Sequence, residues 1–161
     1  MGRSQRKLPA NCVAVNRKAS LRYDISDTYE AGLVLRGSEV KSIRAGQVDI
    51  SEAYAAVERG EMWLRQMYIA SFFAARAFPH AERGSRKLLL HAREIRDLER
   101  AISREGYTVV ALDVHFNDGR AKVTLGVGRG RKDHDKRAIL IEKTLERETL
   151  RATQTRRQRL P

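Results

Sequence analysis

Residues 107–127 constrain the fold more than any other stretch. Val110, Leu112, Val114 and Phe116 alternate with Val109, Ala111, Asp113 and His115, and after Asn117, Asp118 and Gly119 the alternation resumes as Ala121, Val123, Leu125 and Val127 against Lys122, Thr124 and Gly126. Successive side chains of a strand point to opposite faces, so this period of two predicts two strands joined by a tight turn, with one wholly apolar face. Asp118 and Gly119 tolerate the left-handed backbone that such a turn demands. A lone two-stranded ribbon is marginal in water, so the hairpin must belong to a larger sheet.

Material for that sheet lies upstream. Residues 53–69 read as a second hairpin in which Glu58, Arg59 and Gly60 turn the chain and Met62, Leu64 and Tyr68 share a face; Tyr29 to Leu35 reads as a further strand with Ala31, Leu33 and Leu35 on one side. Two helices interrupt the pattern. Ile95, Leu98 and Ile102 recur at helical spacing between Ala92 and Glu105, with Gly106 as the stop, and Ser38 is expected to cap a short helix carrying Val40 and Ile43 and ending at Gly46. In the connection between Ala70 and Lys87, Phe72, Phe73 and Phe78 are expected to lid the core. The fold class that follows is mainly β with short helices: a small closed antiparallel barrel of the oligonucleotide-binding type.

Charge divides the chain into three. The formal net charge is +12, yet residues 1–22 hold six Arg or Lys and no acid, residues 130–161 hold ten against five acids, and residues 23–129 are nearly neutral. We therefore expect a basic N-terminal segment (1–22) partly joining the barrel, a barrel core (23–129) and a basic tail (130–161). Two basic ends around a neutral core point to a polyanion, because neutralising phosphates releases condensed counterions. The tail has too few apolar residues, Ile139, Leu140, Ile141, Leu145 and Leu150, to build a core, so it is expected to be disordered when free. Written as a helix it stacks Lys143, Arg147 and Arg151 in one column, whose mutual repulsion a phosphate backbone would reverse. Gly128 and Gly130 read as a flexible joint before it.

Other classes of function find little support. Cys12 has no partner for a disulfide, no run of about 18 apolar residues could span a bilayer, and the start MGRSQRKLPAN leads into no apolar secretory stretch, so the cytoplasm is the expected compartment. His80, His91, His115 and His134 are dispersed and read as surface or hydrogen-bonding histidines, with no metal and no cofactor implied. Glu30 and Glu39 bracket a strand, but no third acid is placed to make a nuclease-like metal site, and Glu39 is expected to pair with Lys41 or Arg44. No nucleophile stands beside a base, so the chain is read as RNA-binding and not as an enzyme. A ribosomal or other structural RNA-binding protein with the same barrel is the alternative on composition.

Five stretches carry a resemblance. Asn16 to Ala19 (NRKA), Tyr29 to Gly46 (YEAGLVLRGSEVKSIRAG), Arg86 to His91 (RKLLLH), Gly106 to Leu112 (GYTVVAL) and Gly128 to Arg137 (GRGRKDHDKR) closely resemble, in this order, the small protein B family, the SsrA-binding proteins of bacterial trans-translation. The resemblance spans about residues 11–137. It implies a barrel related to the oligonucleotide-binding fold that binds the tRNA-like domain of transfer-messenger RNA (SsrA RNA). It also implies that the protein accompanies this RNA, alanine-charged and with elongation factor Tu, to stalled ribosomes.

By the same resemblance Asn16, Glu30 and Leu89 face the RNA; by position Arg17, Lys18, Lys41, Arg44, Arg86 and Lys87 join them as phosphate contacts. Read without the resemblance, Leu89 belongs to the core, and Glu30 serves equally as a structural hydrogen-bond acceptor. The family's tail becomes helical at the decoding centre against small-subunit RNA. The matching residues are Arg131, Lys132, His134, Asp135, Lys136 and Arg137, with Asp135 orienting the two cations that follow or capping the helix. Arg131 stands where the family commonly has Lys, and beyond Arg137 the run AILIEKTLERE departs from the family's usual charged sequence.

Overall fold

The structure, a computed structural model, describes residues 10–72 and 79–158, with side chains as far as residue 154. In chain order the elements are β1 (Cys12–Val15), α1 (Ala19–Arg22), β2 (Tyr23–Leu33), α2 (Gly37–Arg44), β3 (Val48–Asp49), β4 (Tyr54–Glu58) and β5 (Glu61–Arg65). There follow β6 (Tyr68–Ile69), β7 (Arg86–Leu89), α3 (Ala92–Ile102), β8 (Tyr107–Asn117), β9 (Arg120–Gly130) and α4 (Asp133–Gln158). The protein is thus mainly β with short helices, apart from the long terminal helix. Antiparallel pairings run β8–β4–β5–β7–β2–β9, and β9 pairs again with β8, so the ladder returns to the strand where it began. β1 adds to the far half of β8, and β3 pairs with β6 as a separate ribbon. Ala31, Ile43, Met62, Leu64, Leu88, Leu98, Val114 and Leu125 fill the interior.

The expected hairpin forms, with Asp118 (φ 50°) and Gly119 (φ 73°) in the turn. Its single buried face does not. Ala111 faces Leu125 while Asp113 faces Thr124, so Leu112 is an extra residue, a β-bulge that reverses the alternation in mid-strand. Val109 and Ala111 look into the main core before the bulge, and Val114 does so after it. Val110 and Leu112 instead pack outside the ring against Ala19, Tyr23 and Ile25. Both faces of β8 are therefore buried from Val109 to His115. A small outer core needs the strands very close. A Cβ on Gly128 would lie 2.8 Å from Ile25 Cδ1 and 3.0 Å from the Asp24 carbonyl oxygen, so the expected flexible joint is in fact a tightly packed stretch of β9.

Other local readings need correction. Met62 and Leu64 share the buried face of β5, but Gln66 adopts φ 60° and breaks the run, so Ile69 and not Tyr68 turns inward. Helix α2 opens at Arg36 rather than Ser38, because the Glu39 carboxylate accepts the Arg36 N–H at 2.8 Å. Glu39 pairs with neither Lys41 nor Arg44. It is buried, and Arg86 Nε donates to it at 2.9 Å. Of the aromatic lid, Phe72 is half-buried, while Phe73 and Phe78 lie outside the described residues. Helix α3 follows expectation, with Leu98 fully buried and Gly106 at φ 78° just beyond its end.

Candidate nucleic-acid interface

Strand register assembles a polar strip on the outside of the ring. Glu30 on β2 lies opposite Thr124 on β9, Thr124 lies opposite Asp113 on β8, and Lys122 lies between Gly32 and His115. Across the other edge of β2, Gly32 faces Leu89, and Lys87, two residues before it on β7, faces Trp63 on β5. Because alternate residues of a strand share a face, these side chains form one band across β8, β9, β2, β7 and β5.

At the centre of the band the His115 ring is buried between two acids, with Nδ1 2.8 Å from Asp113 Oδ1 and Nε2 3.1 Å from Glu30 Oε2. Thr124 Oγ1 donates to Asp113 at 3.0 Å, and Lys122 Nζ donates to the second Glu30 oxygen at 2.5 Å. The hydrogen bond from the Lys122 ammonium holds the Glu30 carboxyl below the usual range; burial, the next-largest influence, pushes the other way, and the His115 contact adds to the lowering. Glu30 is thus a fixed, ionised acceptor with its side chain 46% exposed. This convergence of acids on a histidine was not expected from sequence, since 85 residues separate Glu30 from His115. Among the described residues, no group of three His, Cys, Asp or Glu has the arrangement to hold a metal ion.

Beside the acid lies an apolar step. Leu89 is 56% exposed, contrary to its sequence reading as core, because β7 turns Leu88 inward and Leu89 outward. It rests over Gly32, with its Cβ 3.3 Å from where a side chain there would begin, and Val34 is exposed close by. Lys87 is half-exposed and pairs with Glu61 across the strands. Lys41 and Arg44 project from α2 above aromatic rings: Lys41 Nζ is 5.3 Å from the Phe72 centroid and the Arg44 guanidinium 4.9 Å from that of Phe116.

Two expected phosphate-binding or RNA-facing side chains are not on the surface. Arg86 is only 3% exposed; besides Glu39, its guanidinium donates to the carbonyls of Met67 (2.6 Å), Gly84 (2.9 Å), Ala81 (3.0 Å) and Glu82 (3.3 Å). It fastens residues 81–84 to α2 from within and has no donor left for a phosphate. Asn16 is buried as well. Its amide donates to the Ala111 carbonyl at 3.1 Å and its backbone N–H to Leu112 at 2.8 Å, while Oδ1 has no partner. Arg17 and Lys18, next in the chain, are exposed at the start of α1.

The tail residues divide. Arg131 belongs to the ring, where its guanidinium donates to Asp24 at 2.8 Å. Lys132, His134 and Arg137 are exposed on or just before α4, and Asp133 and Asp135 occupy its first turn, where negative charge favours a helix. His134 Nε2 is 3.1 Å from Asp135, and Lys136 Nζ is 3.2 Å from Asp133.

The chain is similar to known proteins over most of its length. The family model described as SmpB protein matches residues 13–155. An SsrA-binding protein of Mesorhizobium japonicum is 51% identical over 137 residues, covering 84% of this chain and 86% of its own. One from Leifsonia xyli is 47% identical over 145 residues, covering 90% and 92%. A chain in the solved structure "tmRNA-SmpB: a journey to the center of the bacterial ribosome" superposes with a TM-score of 0.65 at 44% identity, covering 77% of this chain and 87% of that one.

Proposed function

The chain belongs to the SmpB protein family, and from that premise we infer that it binds tmRNA, the SsrA RNA, and acts with it on the ribosome in trans-translation. The likeness to SsrA-binding proteins carries this reading, because it runs through the strands that bear the outer strip. A gel-shift series tests it. The chain should prefer tmRNA to ribosomal RNA fragments of equal length, and equal binding to both would overturn the assignment.

In this reading the ring of strands is a closed barrel related to the oligonucleotide-binding fold, which the return pairing of β9 onto β8 supports. Its strip meets the tRNA-like domain. The Glu30 carboxylate suits a ribose 2′-hydroxyl donor, Leu89 offers an apolar contact to an unstacked base or sugar, and Lys87, Lys41, Arg44, Arg17 and Lys18 neutralise phosphates. Asn16 and Arg86 act from beneath, holding the loops that present those cations.

Residues 130–161 form the ribosomal arm, with Lys132, His134, Asp135, Lys136 and Arg137 meeting small-subunit RNA at the decoding centre and the arm ordering there. Elongation factor Tu and the alanine charged on tmRNA complete the complex. The protein's own chemistry is recognition, with no reaction step assigned to it. Among the described residues no helix is long and apolar enough to cross a membrane, and the reading places the protein in the cytoplasm.

A further inference from the structure

The bulge at Leu112 does more than divide the core. Val109 and Ala111 look inward, so strict alternation would carry Asp113 and His115 inward too; the inserted residue turns both to the outer face. There they join three strands in one chain of hydrogen bonds. The Thr124 hydroxyl on β9 donates to Asp113 on β8 at 3.0 Å, the His115 ring lies 2.8 Å from the same Asp113 oxygen, and its other nitrogen lies 3.1 Å from Glu30 on β2. Asp113 and His115 are both buried, whereas the Glu30 side chain at the end of the chain meets solvent. Two ionisable groups buried side by side give little net stability over apolar side chains of similar size, so their placement calls for another account.

Glu30 supplies that account. Lys122 engages only one of its oxygens; the second is taken by His115, whose ring is itself anchored by Asp113, so the carboxylate is held at both corners. Each oxygen keeps a lone pair for a further donor. Beside it opens a hollow of about 300 Å³ lined chiefly by Asn11, Glu30, His115, Phe116, Asn117 and Asp118. The described residues that line it include no Lys or Arg, so it suits a sugar hydroxyl better than a phosphate. We propose that His115, anchored by Asp113, is a positioning residue for RNA recognition: it holds the Glu30 carboxylate in the orientation that accepts a ribose 2′-hydroxyl, and thereby sets the preference for ribose over deoxyribose at that contact. The proposal rests on the reading of Glu30 given above and adds the residues that make it selective. In this arrangement both ring nitrogens donate, one to each carboxylate. A carboxylate fixed beforehand has less rotamer freedom to lose on binding, and the 2′-hydroxyl is the donor that distinguishes RNA from DNA.

The test measures the affinity of the full chain for the tRNA-like domain of tmRNA and for a series of the same RNA with a single 2′-deoxynucleotide at each position in turn. The parent chain should lose about fivefold to tenfold at one position, the effect of one hydrogen bond to a charged group. Glu30→Ala and His115→Phe should each shrink that loss to within about twofold at the same position, and the double variant should shrink it no further than Glu30→Ala does alone. A merely structural role for His115 would weaken binding to every RNA of the series alike and leave the loss at that position unchanged, which overturns the proposal. The ring nitrogen NMR signals of the parent chain give a second measure that needs no substitution. Protons on both His115 nitrogens near neutral pH support the clamp, and a ring with one bare nitrogen overturns it. If the parent feels no 2′-deoxy position, the 2′-hydroxyl reading of Glu30 fails and the proposal with it. If Glu30→Ala abolishes the loss and His115→Phe keeps it, that reading stands and the proposal alone falls.

Discussion

Single positions carry the sharpest tests of the strip. Glu30 has a depressed pKa, held down first by Lys122. A depressed carboxyl contributes stability above its unfolded value of about 4.3 and loses it as pH falls through the lower folded value. The melting temperature of Glu30→Gln should therefore fall less steeply than that of the parent below about pH 4 and run parallel to it above about pH 5. Identical acid slopes would mean that Lys122 and His115 do not hold the carboxylate. Gly128 tests the outer core. Alanine there must displace Ile25 or the Asp24 backbone, so Gly128→Ala should cost about 1–3 kcal/mol in chemical denaturation; a neutral result would show that β2 and β9 can part. Neither residue announces its role in sequence. Glu30 looks like any exposed acid of an alternating strand until register brings Asp113 and His115 beside it, and Gly128 looks like a hinge because a glycine that saves space is written the same way as one that supplies freedom.

At the scale of elements, the adjacent pair on β7 separates stability from binding. Arg86 and Lys87 read as one basic dipeptide, yet alternation sends the first into the interior and the second to the strip. Arg86→Ala leaves Glu39 buried and unpaired, at an expected cost of about 3–5 kcal/mol, visible as a large drop in denaturation midpoint. Lys87→Ala should leave that midpoint within experimental error and lower the slope of log affinity against log salt by about one unit. Equal behaviour of the two variants would contradict the burial of Arg86. Periodicity made most elements legible: β5, β8, β9 and α3 lie where apolar spacing put them, while β2 begins at Tyr23, six residues before the expected Tyr29. It could not show the bulge at Leu112 or the left-handed turn at Gln66, because each inserts one residue into a pattern that remains apolar on both sides. From the residues alone Leu89 looks like core for a related reason, since three consecutive leucines hide which of them alternation turns outward; only the resemblance points to its exposed side.

For the whole molecule the question is whether ring and arm act separately. Changing Asp135, Lys136 and Arg137 together to alanine removes two cations and a first-turn acid from α4, all of them beyond the Arg131 contact. Binding to tmRNA should stay intact and tagging should be lost; parallel loss of both, or normal tagging, would sink the division of labour. The charge map suggests the same division, with its basic ends and neutral centre, although Arg131, on the tail side of that map, pairs with Asp24 on β2. The closure of the ring has a consequence in time as well as in space. Strand β2 is made early, yet its long partner is β9, so that Tyr29 waits for Leu125. The β8–β9 and β4–β5 hairpins form from local contacts, whereas the ring shuts only after a loop of most of the chain has been drawn together. Folding should accordingly be slow for the protein's size, on the order of milliseconds to seconds, with β2 docking as the late step that commits the chain.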